Sequence, residues 1–290
     1  MNALAETREV TVRFGSFTAV DSVDLAVSAG EVVGLLGANG AGKTTLIRAL
    51  LGLLRPSRGR ALLFGETPSM KTRRRVGYVP QGLGLYSDMT VGENWEFTSA
   101  AFASGRPPMP ESIAGSSGTL VRDLPLGLQR RVAFAVAFSH EPELLVLDEP
   151  TSGVGPLGSA RLWQDIRESS GRGTGVLVTT HNMEEAEQCD RLVVMTAGRV
   201  AARGTSADIT AGRQVVQVSC AEWPRAFALL DEEGFIVQAR GGLLRVPGSP
   251  ERVRELLETH SLEASVSFVP ANIEESFMEV VAGSPGREVG

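Results

Sequence analysis

The stretch from Gly37 to Thr45, G-A-N-G-A-G-K-T-T, constrains the fold of this 290-residue chain more than any other feature. It fits the phosphate-loop pattern G-x-x-x-x-G-K-[ST], whose glycines let backbone N–H groups converge on phosphate oxygens at the start of a helix. An apolar run at 32–36 precedes it, and a helical pattern at 46–51 follows it. This strand–loop–helix context is the one that the pattern requires, and it predicts an α/β fold with a nucleotide site.

The phosphate loop contains its own candidate ligands. We expect Lys43 to reach the β- and γ-phosphates of a nucleotide, and the Thr44 hydroxyl to bind Mg²⁺. All of its residues are candidates for contacting the nucleotide: Gly37, Ala38, Asn39, Gly40, Ala41, Gly42, Lys43, Thr44 and Thr45.

A second motif, further along the chain, ends in two carboxylates. The apolar run 144–147 reads as a strand buried on both faces, and Asp148 and Glu149 follow it directly. Nucleotides bind at the carboxyl ends of such strands. We therefore expect Asp148 to hold Mg²⁺, directly or through water, and Glu149 to polarise an attacking water as a general base. The alternative is a solvated strand end without a catalytic role.

The pattern of predicted strands and helices divides the chain into two parts. Strand and helix patterns alternate through 6–206, which predicts a mostly parallel sheet. Residues 207–282 carry a separate set of short strands and helices, typical of a small α+β domain. We expect the tail 283–290 to be disordered, and the Pro-, Gly- and Ser-rich stretch 104–118 to be a mobile connection.

Composition narrows the class of protein. The chain is 42% hydrophobic and 21% charged with a net charge of −6, which indicates a globular protein and does not suggest a nucleic-acid partner. Cys189 and Cys220 lie in separate segments and read as free thiols in a reducing compartment. We see no signal-peptide pattern and no run of 18 apolar residues, so we expect any membrane association to come through a partner.

Together these stretches resemble the ATP-binding cassette of ABC transporters, and further motifs match in order from residue 8 to about 205. Gln81, after Y-V-P, resembles the Gln-loop residue that senses Mg²⁺ and contacts the membrane subunit. Phe14, in V-R-F-G, lies where the family stacks an aromatic ring on adenine; a core position for Phe14, or Phe17 in its place, is the alternative. His181, in V-T-T-H, resembles the switch histidine that contacts the γ-phosphate, with a purely structural histidine as the alternative.

The resemblance implies a P-loop NTPase cassette with ATP and Mg²⁺ as cofactors. Its fold would combine a mostly parallel sheet, an antiparallel β subdomain and a helical subdomain at about 82–140. It implies a catalytic set of Glu149, His181, Lys43 and Gln81, and metal ligation by Thr44, Gln81 and Asp148. The segment from about 207, through P-A-N-I-E-E-S-F-M-E-V-V, resembles the accessory domain of drug- and polysaccharide-type (ABC-2) exporter ATPases.

Two motifs depart from the family. Its L-S-G-G-Q signature, which closes over the γ-phosphate held by a second cassette, aligns here with Leu124, Pro125, Leu126, Gly127 and Leu128. Pro125 has neither the serine hydroxyl nor a backbone N–H, so we expect that contact to weaken by roughly 1.5–3 kcal/mol, although Gly127 is retained. Gly155 stands where the D-loop, which couples the two sites of the dimer, usually has Asp.

The resemblance therefore favours an ATP-hydrolysing subunit of an ABC exporter. It would dimerise head to tail with a second cassette and drive a separate integral-membrane permease from the cytoplasmic face of the membrane. One alternative is a regulatory ATP-binding partner in a heterodimer, because its signature is degenerate. Another is a non-transport ABC ATPase, which the single cassette and the acidic charge disfavour.

Overall fold

The computed structural model describes residues 3–102 and 108–282, and the chain divides into two compact units between Thr205 and Ser206. In chain order, the first unit contains β1 (Ala5–Phe14), β2 (Phe17–Val27), β3 (Val32–Leu36), α1 (Lys43–Leu50), β4 (Arg58–Leu63), α2 (Met70–Arg73), β5 (Val76–Val79), α3 (Val91–Phe102), α4 (Glu111–Ala114), α5 (Leu126–Phe138), β6 (Leu144–Asp148), α6 (Pro156–Gly171), β7 (Gly175–Thr180), α7 (Met183–Ala186), β8 (Arg191–Thr196) and β9 (Arg199–Gly204).

A central sheet with the spatial order β5-β6-β7-β3-β8-β9 organises the first unit. All of its neighbouring strands run parallel except β9, which is antiparallel to β8. Strands β3, β6 and β7 are buried along their whole length, as their continuous apolar runs require in a parallel sheet. Their carboxyl ends therefore meet at one edge, where the phosphate loop, Asp148 and His181 follow.

A second, antiparallel sheet with the order β2-β1-β4 lies against helix α1. The apolar core of this region joins all three layers: Val10 and Val23 from the antiparallel sheet, Ile47 from α1, and Val33 and Leu35 from β3. Helix α1 thus fills the space between the two sheets. The predicted α/β fold class, a mostly parallel sheet with an antiparallel β subdomain, is confirmed.

Helices α3, α4 and α5 pack around their own small core. Its buried members are Val91, Trp95, Ile113, Val121, Leu124 and Val132. The expectation of a mobile connection at 104–118 is corrected for residues 108–118: Ile113 of α4 is buried in this core, and backbone hydrogen bonds such as Thr119 N–H to the Ser116 carbonyl satisfy the turns. Residues 103–107 and the predicted tail 283–290 lie outside the described residues.

The second unit contains α8 (Ser206–Thr210), β10 (Gln214–Cys220), α9 (Trp223–Glu232), β11 (Gln238–Arg240), β12 (Leu243–Val246), α10 (Pro250–Thr259), β13 (Ala264–Pro270) and α11 (Ile273–Ala282). Its antiparallel sheet has the order β11-β12-β10-β13. From β10 to β13 this is the βαββαβ arrangement of ferredoxin-like units. Apolar side chains of α9 and α10 cover one face of the sheet, because both helices present an amphipathic stripe to Val216, Val218 and Leu244.

Among the described residues, none of the helices combines the length and the apolar character that crossing a bilayer needs.

A nearly buried ion pair holds α11 in the second unit. The Arg245 guanidinium on β12 donates to both Glu275 carboxylate oxygens, at 2.5 and 2.9 Å, and the Glu275 side chain is almost fully buried. Glu275 also accepts a hydrogen bond from the Asn272 backbone N–H at 2.7 Å. This bidentate geometry compensates the carboxylate for its loss of water.

We expect Glu275→Ala to lower the free energy of unfolding of the second unit by about 2–3 kcal/mol, because Arg245 would lose its charged partner and keep the Pro270 carbonyl while staying largely covered. The matched control is Glu222→Ala, which removes the exposed Glu222–Arg225 pair and should change stability by less than about 0.5 kcal/mol. Urea denaturation of the full chain measures both. Equal losses in the two variants would contradict the structural role of the Arg245 pair.

Candidate functional site

The phosphate loop lies at the carboxyl end of β3, and neighbouring backbone presses against it from behind. A Cβ on Gly37 would come within 2.5 Å of the Met195 carbonyl oxygen, and one on Gly42 within 2.5 Å of the Ala19 carbonyl oxygen. Gly42 also has φ = 97°, a conformation that favours glycine. Gly40, at the front of the loop, faces open space. The loop is therefore fixed behind and open in front, which fits a bound phosphate chain.

Lys43 folds back across its own loop. Its ammonium group donates to the Gly37 carbonyl at 2.7 Å and to the Ala38 carbonyl at 3.1 Å, and it lies 3.7 Å from Glu149 Oε1. Burial lowers the pKa of Lys43, and the nearby carboxylates of Glu149 and Asp148 oppose that shift. The sequence pattern thus places a desolvated cation where phosphate oxygens would arrive.

Asp148 is the most deeply buried acidic group of the site, with 1% of its surface exposed. The Thr44 hydroxyl donates to its Oδ2 at 2.9 Å, and the Thr179 hydroxyl donates to its Oδ1 at 2.5 Å. Thr44 and Asp148, both predicted to hold Mg²⁺, are therefore in direct contact. An alcohol oxygen beside one carboxylate fits Mg²⁺, which prefers oxygen ligands and takes its others from phosphates and water.

Gln81 joins these two residues in one cleft. It is exposed immediately after β5, and with Thr44 and Asp148 it lines a cleft of about 370 Å³. Tyr78 lines the same cleft, where burial and the nearby Asp148 raise the pKa of its phenol to about 12. The third residue predicted for metal binding is thus brought to the other two, beside a phenol that stays neutral at physiological pH.

Glu149 lies between Lys43 and His181. Its Oε1 is 3.4 Å from His181 Nδ1, and its backbone is in the left-handed region with φ = 51°. Two hydrogen bonds hold that uncommon turn: the Glu149 N–H donates to Thr179 Oγ1 at 2.9 Å, and the buried Arg130 guanidinium donates to the Glu149 carbonyl at 3.2 Å. Three predicted catalytic side chains from three strand ends therefore converge at Glu149.

Phe14 and Phe17 face each other across the β1–β2 hairpin, with 52% and 58% of their surfaces exposed. This exposure excludes a core position for Phe14. Phe17 lies two residues before Ala19, whose carbonyl oxygen approaches Gly42. Either ring is open to stacking on a base, and the choice between them stays open.

The signature stretch and the D-loop lie beside each other in the first unit. Pro125 caps the start of α5 and Gly155 that of α6. Leu126 is exposed and approaches the D-loop so closely that a Cβ on Gly153 would lie 2.9 Å from its Cδ2. Within the described residues, no backbone hydrogen bond joins this surface to the phosphate loop.

Sequence reasoning missed Thr179 and Arg130 as parts of the site. Thr179 is the second-last residue of β7, two positions before His181, and its hydroxyl serves both Asp148 and Glu149. Arg130 follows the signature stretch, where the sequence shows only a basic helix. A hydroxyl at the carboxyl end of a buried strand was the available signal for Thr179, whereas nothing local indicated which backbone Arg130 would contact.

We expect Thr179→Val to lower the free energy of unfolding by about 2 kcal/mol, because buried Asp148 would lose a charge-assisted donor and Glu149 N–H its acceptor. Thr179→Ser keeps the hydroxyl and should cost less than about 1 kcal/mol. Urea denaturation of both full-length variants measures the difference. A loss of equal size in the two would contradict the role of the hydroxyl, because Thr179→Ser retains it.

The chain is similar to proteins described as ABC transporters and their ATP-binding subunits. The family model described as ABC transporter matches residues 20–152. The "Nod factor export ATP-binding protein I" of Ralstonia nicotianae is 35% identical, over 96% of this chain and 92% of that protein. The protein of the same name from Cupriavidus metallidurans is 40% identical, over 70% of this chain and 72% of that protein.

A longer relative matches part of the chain. The "Probable multidrug ABC transporter ATP-binding protein YbhF" of Escherichia coli is 41% identical over 71% of this chain, which spans 38% of that relative's length.

Solved structures share the architecture. One described as "Structure of ATP binding subunit of ABC transporter" has a TM-score of 0.67 at 30% identity, covering 71% of this chain and 91% of its own. The "Dimeric Structure of MJ0796, a Bacterial ABC Transporter Cassette" has a TM-score of 0.61 and covers 69% of this chain and 98% of its own. At 21% identity, the second likeness shows the fold alone.

Proposed function

Because this chain belongs to the ABC transporter family, as an ATP-binding cassette followed by a further unit, we propose that it is the ATP-hydrolysing subunit of an exporter. One observation carries the proposal: the ends of β3, β6 and β7 bring Lys43, the Asp148–Thr44 pair and the Glu149–His181 pair to one edge of the sheet. We assign the cassette to 6–206, with a helical subdomain at about 82–140, and an accessory domain to 207–282.

Each residue of the site has a separate role in the proposed hydrolysis of ATP. Bound Mg·ATP supplies the γ-phosphoryl group and a metal charge that offsets the negative charge developing on it. Thr44, Asp148 and Gln81 would hold the metal ion. Lys43 would exchange its two loop carbonyls for phosphate oxygens, a favourable exchange for a cation already stripped of water.

Glu149 would take the proton of the attacking water. Its carboxylate is held by a fixed backbone turn and lies within 3.7 Å of both Lys43 and His181, so its position does not depend on a flexible loop. His181 is half exposed and would donate toward the γ-phosphate. Phe14 or Phe17 would stack on adenine. These roles follow the family's motifs residue by residue, and the distances above support them.

The partners are a second cassette and a separate integral-membrane permease. The export activity named for the relatives from Ralstonia and Cupriavidus supports a role in export. The exposed signature surface and D-loop, which no described backbone hydrogen bond joins to the phosphate loop of the same chain, support completion of each site by a second cassette. The subunit would lie on the cytoplasmic face of the membrane and reach the membrane only through the permease; nucleic acid is not an expected partner.

A second candidate is a regulatory ATP-binding subunit in a heterodimer. Pro125 favours it, because the exposed N-cap of α5 presents neither a hydroxyl nor an N–H at this position. Gly155 likewise removes the carboxylate that the D-loop usually carries. A partner cassette with an intact signature would then complete the site on this chain's phosphate loop.

The deciding experiment is ATP hydrolysis by the purified full chain with Mg²⁺, with the oligomeric state measured alongside. We expect turnover, and Glu149→Gln should reduce it by at least about 100-fold while ATP affinity is kept, because only the general base is lost. Lys43→Ala, in contrast, should weaken ATP binding itself. ATP binding without turnover in the wild-type chain would favour the regulatory role, and wild-type turnover by Glu149→Gln would remove Glu149 from the mechanism.

Pro125→Ser tests whether the signature limits the composite site. A restored hydroxyl and N–H should raise turnover by about tenfold or more, the equivalent of one charge-assisted hydrogen bond. Pro224→Ser is the matched control, since Pro224 is likewise exposed near the start of a helix, α9 in the second unit. Unchanged turnover in Pro125→Ser would show that the proline does not limit the reaction.

A further inference from the structure

Strand β13 forms an edge of the sheet in the second unit. It pairs with β10 on one side, and within residues 3–102 and 108–282 no strand pairs with its other side. Its sequence, A-S-V-S-F-V-P, contains none of the charged residues that commonly protect such edges, and proline appears only at its last position. β13 is therefore an open template for strand pairing.

Two contacts identify which backbone groups of β13 face outward. The backbone N–H of Ala271, just past the strand, donates to the Arg213 carbonyl on the β10 side. The odd-numbered residues of β13 therefore direct their backbone N–H and C=O groups toward β10. The Val266 carbonyl accepts instead from the Arg254 side chain of α10. Because N–H and C=O groups alternate along an antiparallel ladder, Ala264, Val266 and Phe268 present theirs to the open side.

One face of β13 carries an exposed aromatic ring toward the end of the strand. A groove lies on the same face, beside the start of the strand. Phe268 is 51% exposed. The groove has a volume of about 480 Å³ and is lined by Leu257, Leu262, Ala264, Val266 and the polar Arg254, Glu258, Ser261 and Glu263. Ala264, Val266 and Phe268 alternate onto one face of the strand, so the ring and the groove lie on the same side of the sheet.

We propose that two copies of this chain join through β13, in antiparallel register about Val266, to form one continuous eight-stranded sheet. In this register Val266 pairs with Val266 of the second copy, and Phe268 lies opposite Ala264 of the second copy. Each phenyl ring then enters the groove of the other copy. The contact is isologous, because one surface supplies both the ring and the groove.

This self-complementarity selects a second copy over an unrelated peptide as the occupant. Phe268 lies two residues after Val266, and Ala264 of the groove wall lies two residues before it, which is the spacing that a twofold axis at Val266 requires. The Arg254 bond to Val266 is 3.4 Å long, beyond the usual range, so a backbone N–H replaces it readily. The rim of the groove holds both signs of charge, which avoids repulsion between identical surfaces.

The dimer is independent of nucleotide and goes beyond the proposed hydrolytic function. A head-to-tail cassette dimer would use the first unit and require ATP, whereas the β13 contact forms without it. The two are therefore tested separately, in nucleotide-free buffer for the β13 contact and by turnover for the cassette.

Cysteine cross-linking tests the register. In a Cys220→Ser background, Val266→Cys should form a disulfide-linked dimer under mild oxidation without nucleotide, because the Cα atoms of such a pair lie about 5.5 Å apart. The matched control is Ser267→Cys, whose symmetry mate would lie roughly 8 Å away, beyond disulfide reach. Cross-linking of Ser267→Cys as efficient as that of Val266→Cys, or none in either variant, would overturn the proposed pairing.

Sedimentation of the full, nucleotide-free chain over a concentration series tests the ring and groove without relying on cross-linking. Phe268→Glu should weaken the dimer by at least about 30-fold, as for loss of an interface hot spot. Ile236→Glu replaces a residue of the same unit that is similarly exposed, at 48%, but lies off β13, and should leave the dimer intact. A monomeric wild-type chain, or equal dissociation in the two variants, would refute the contact.

Discussion

The buried carboxylate of Asp148 is the interaction on which the site depends. A charge in the interior of a parallel sheet is costly unless donors replace the water it has lost. Two threonine hydroxyls do so here, Thr44 from the start of α1 and Thr179 from the end of β7. Because each donor comes from a different segment, satisfying one carboxylate also fixes the phosphate loop, β6 and β7 relative to one another.

Glu149 depends on that arrangement in turn. Its N–H donates to the same Thr179 hydroxyl, and its left-handed backbone directs the side chain toward Lys43 and His181. Arg130 reaches the same turn from α5, the helix that begins at the signature stretch. One guanidinium therefore links the helix that begins at the signature stretch to the backbone of the proposed general base.

The two units expose different surfaces for association with other chains. The first unit exposes a mostly apolar signature and D-loop surface, with Pro125 and Gly155 where the family has Ser and Asp, and with Leu126 exposed beside them. The second presents a strand edge without protective charge and an exposed ring at Phe268. A contact between cassettes that requires ATP would break after hydrolysis, whereas the proposed strand-paired edge would persist without nucleotide. A permanent contact at β13 would keep two cassettes at high effective concentration while ATP sites open and close.

The sequence by itself determined the parallel sheet, the phosphate loop and the residues following its strands, because buried parallel strands are continuous apolar runs and the loop needs glycines at fixed positions. Only tertiary structure decided what depends on other segments. β11, Gln238–Arg240, has no apolar pattern and is a strand only through its bonds to β12. Ile113 orders α4 by packing against a core whose other members are distant in sequence. Thr179, Arg130 and Phe268 gain their roles from partners that no local pattern specifies, since hydrogen-bond geometry and exposure arise only when the strands and helices pack.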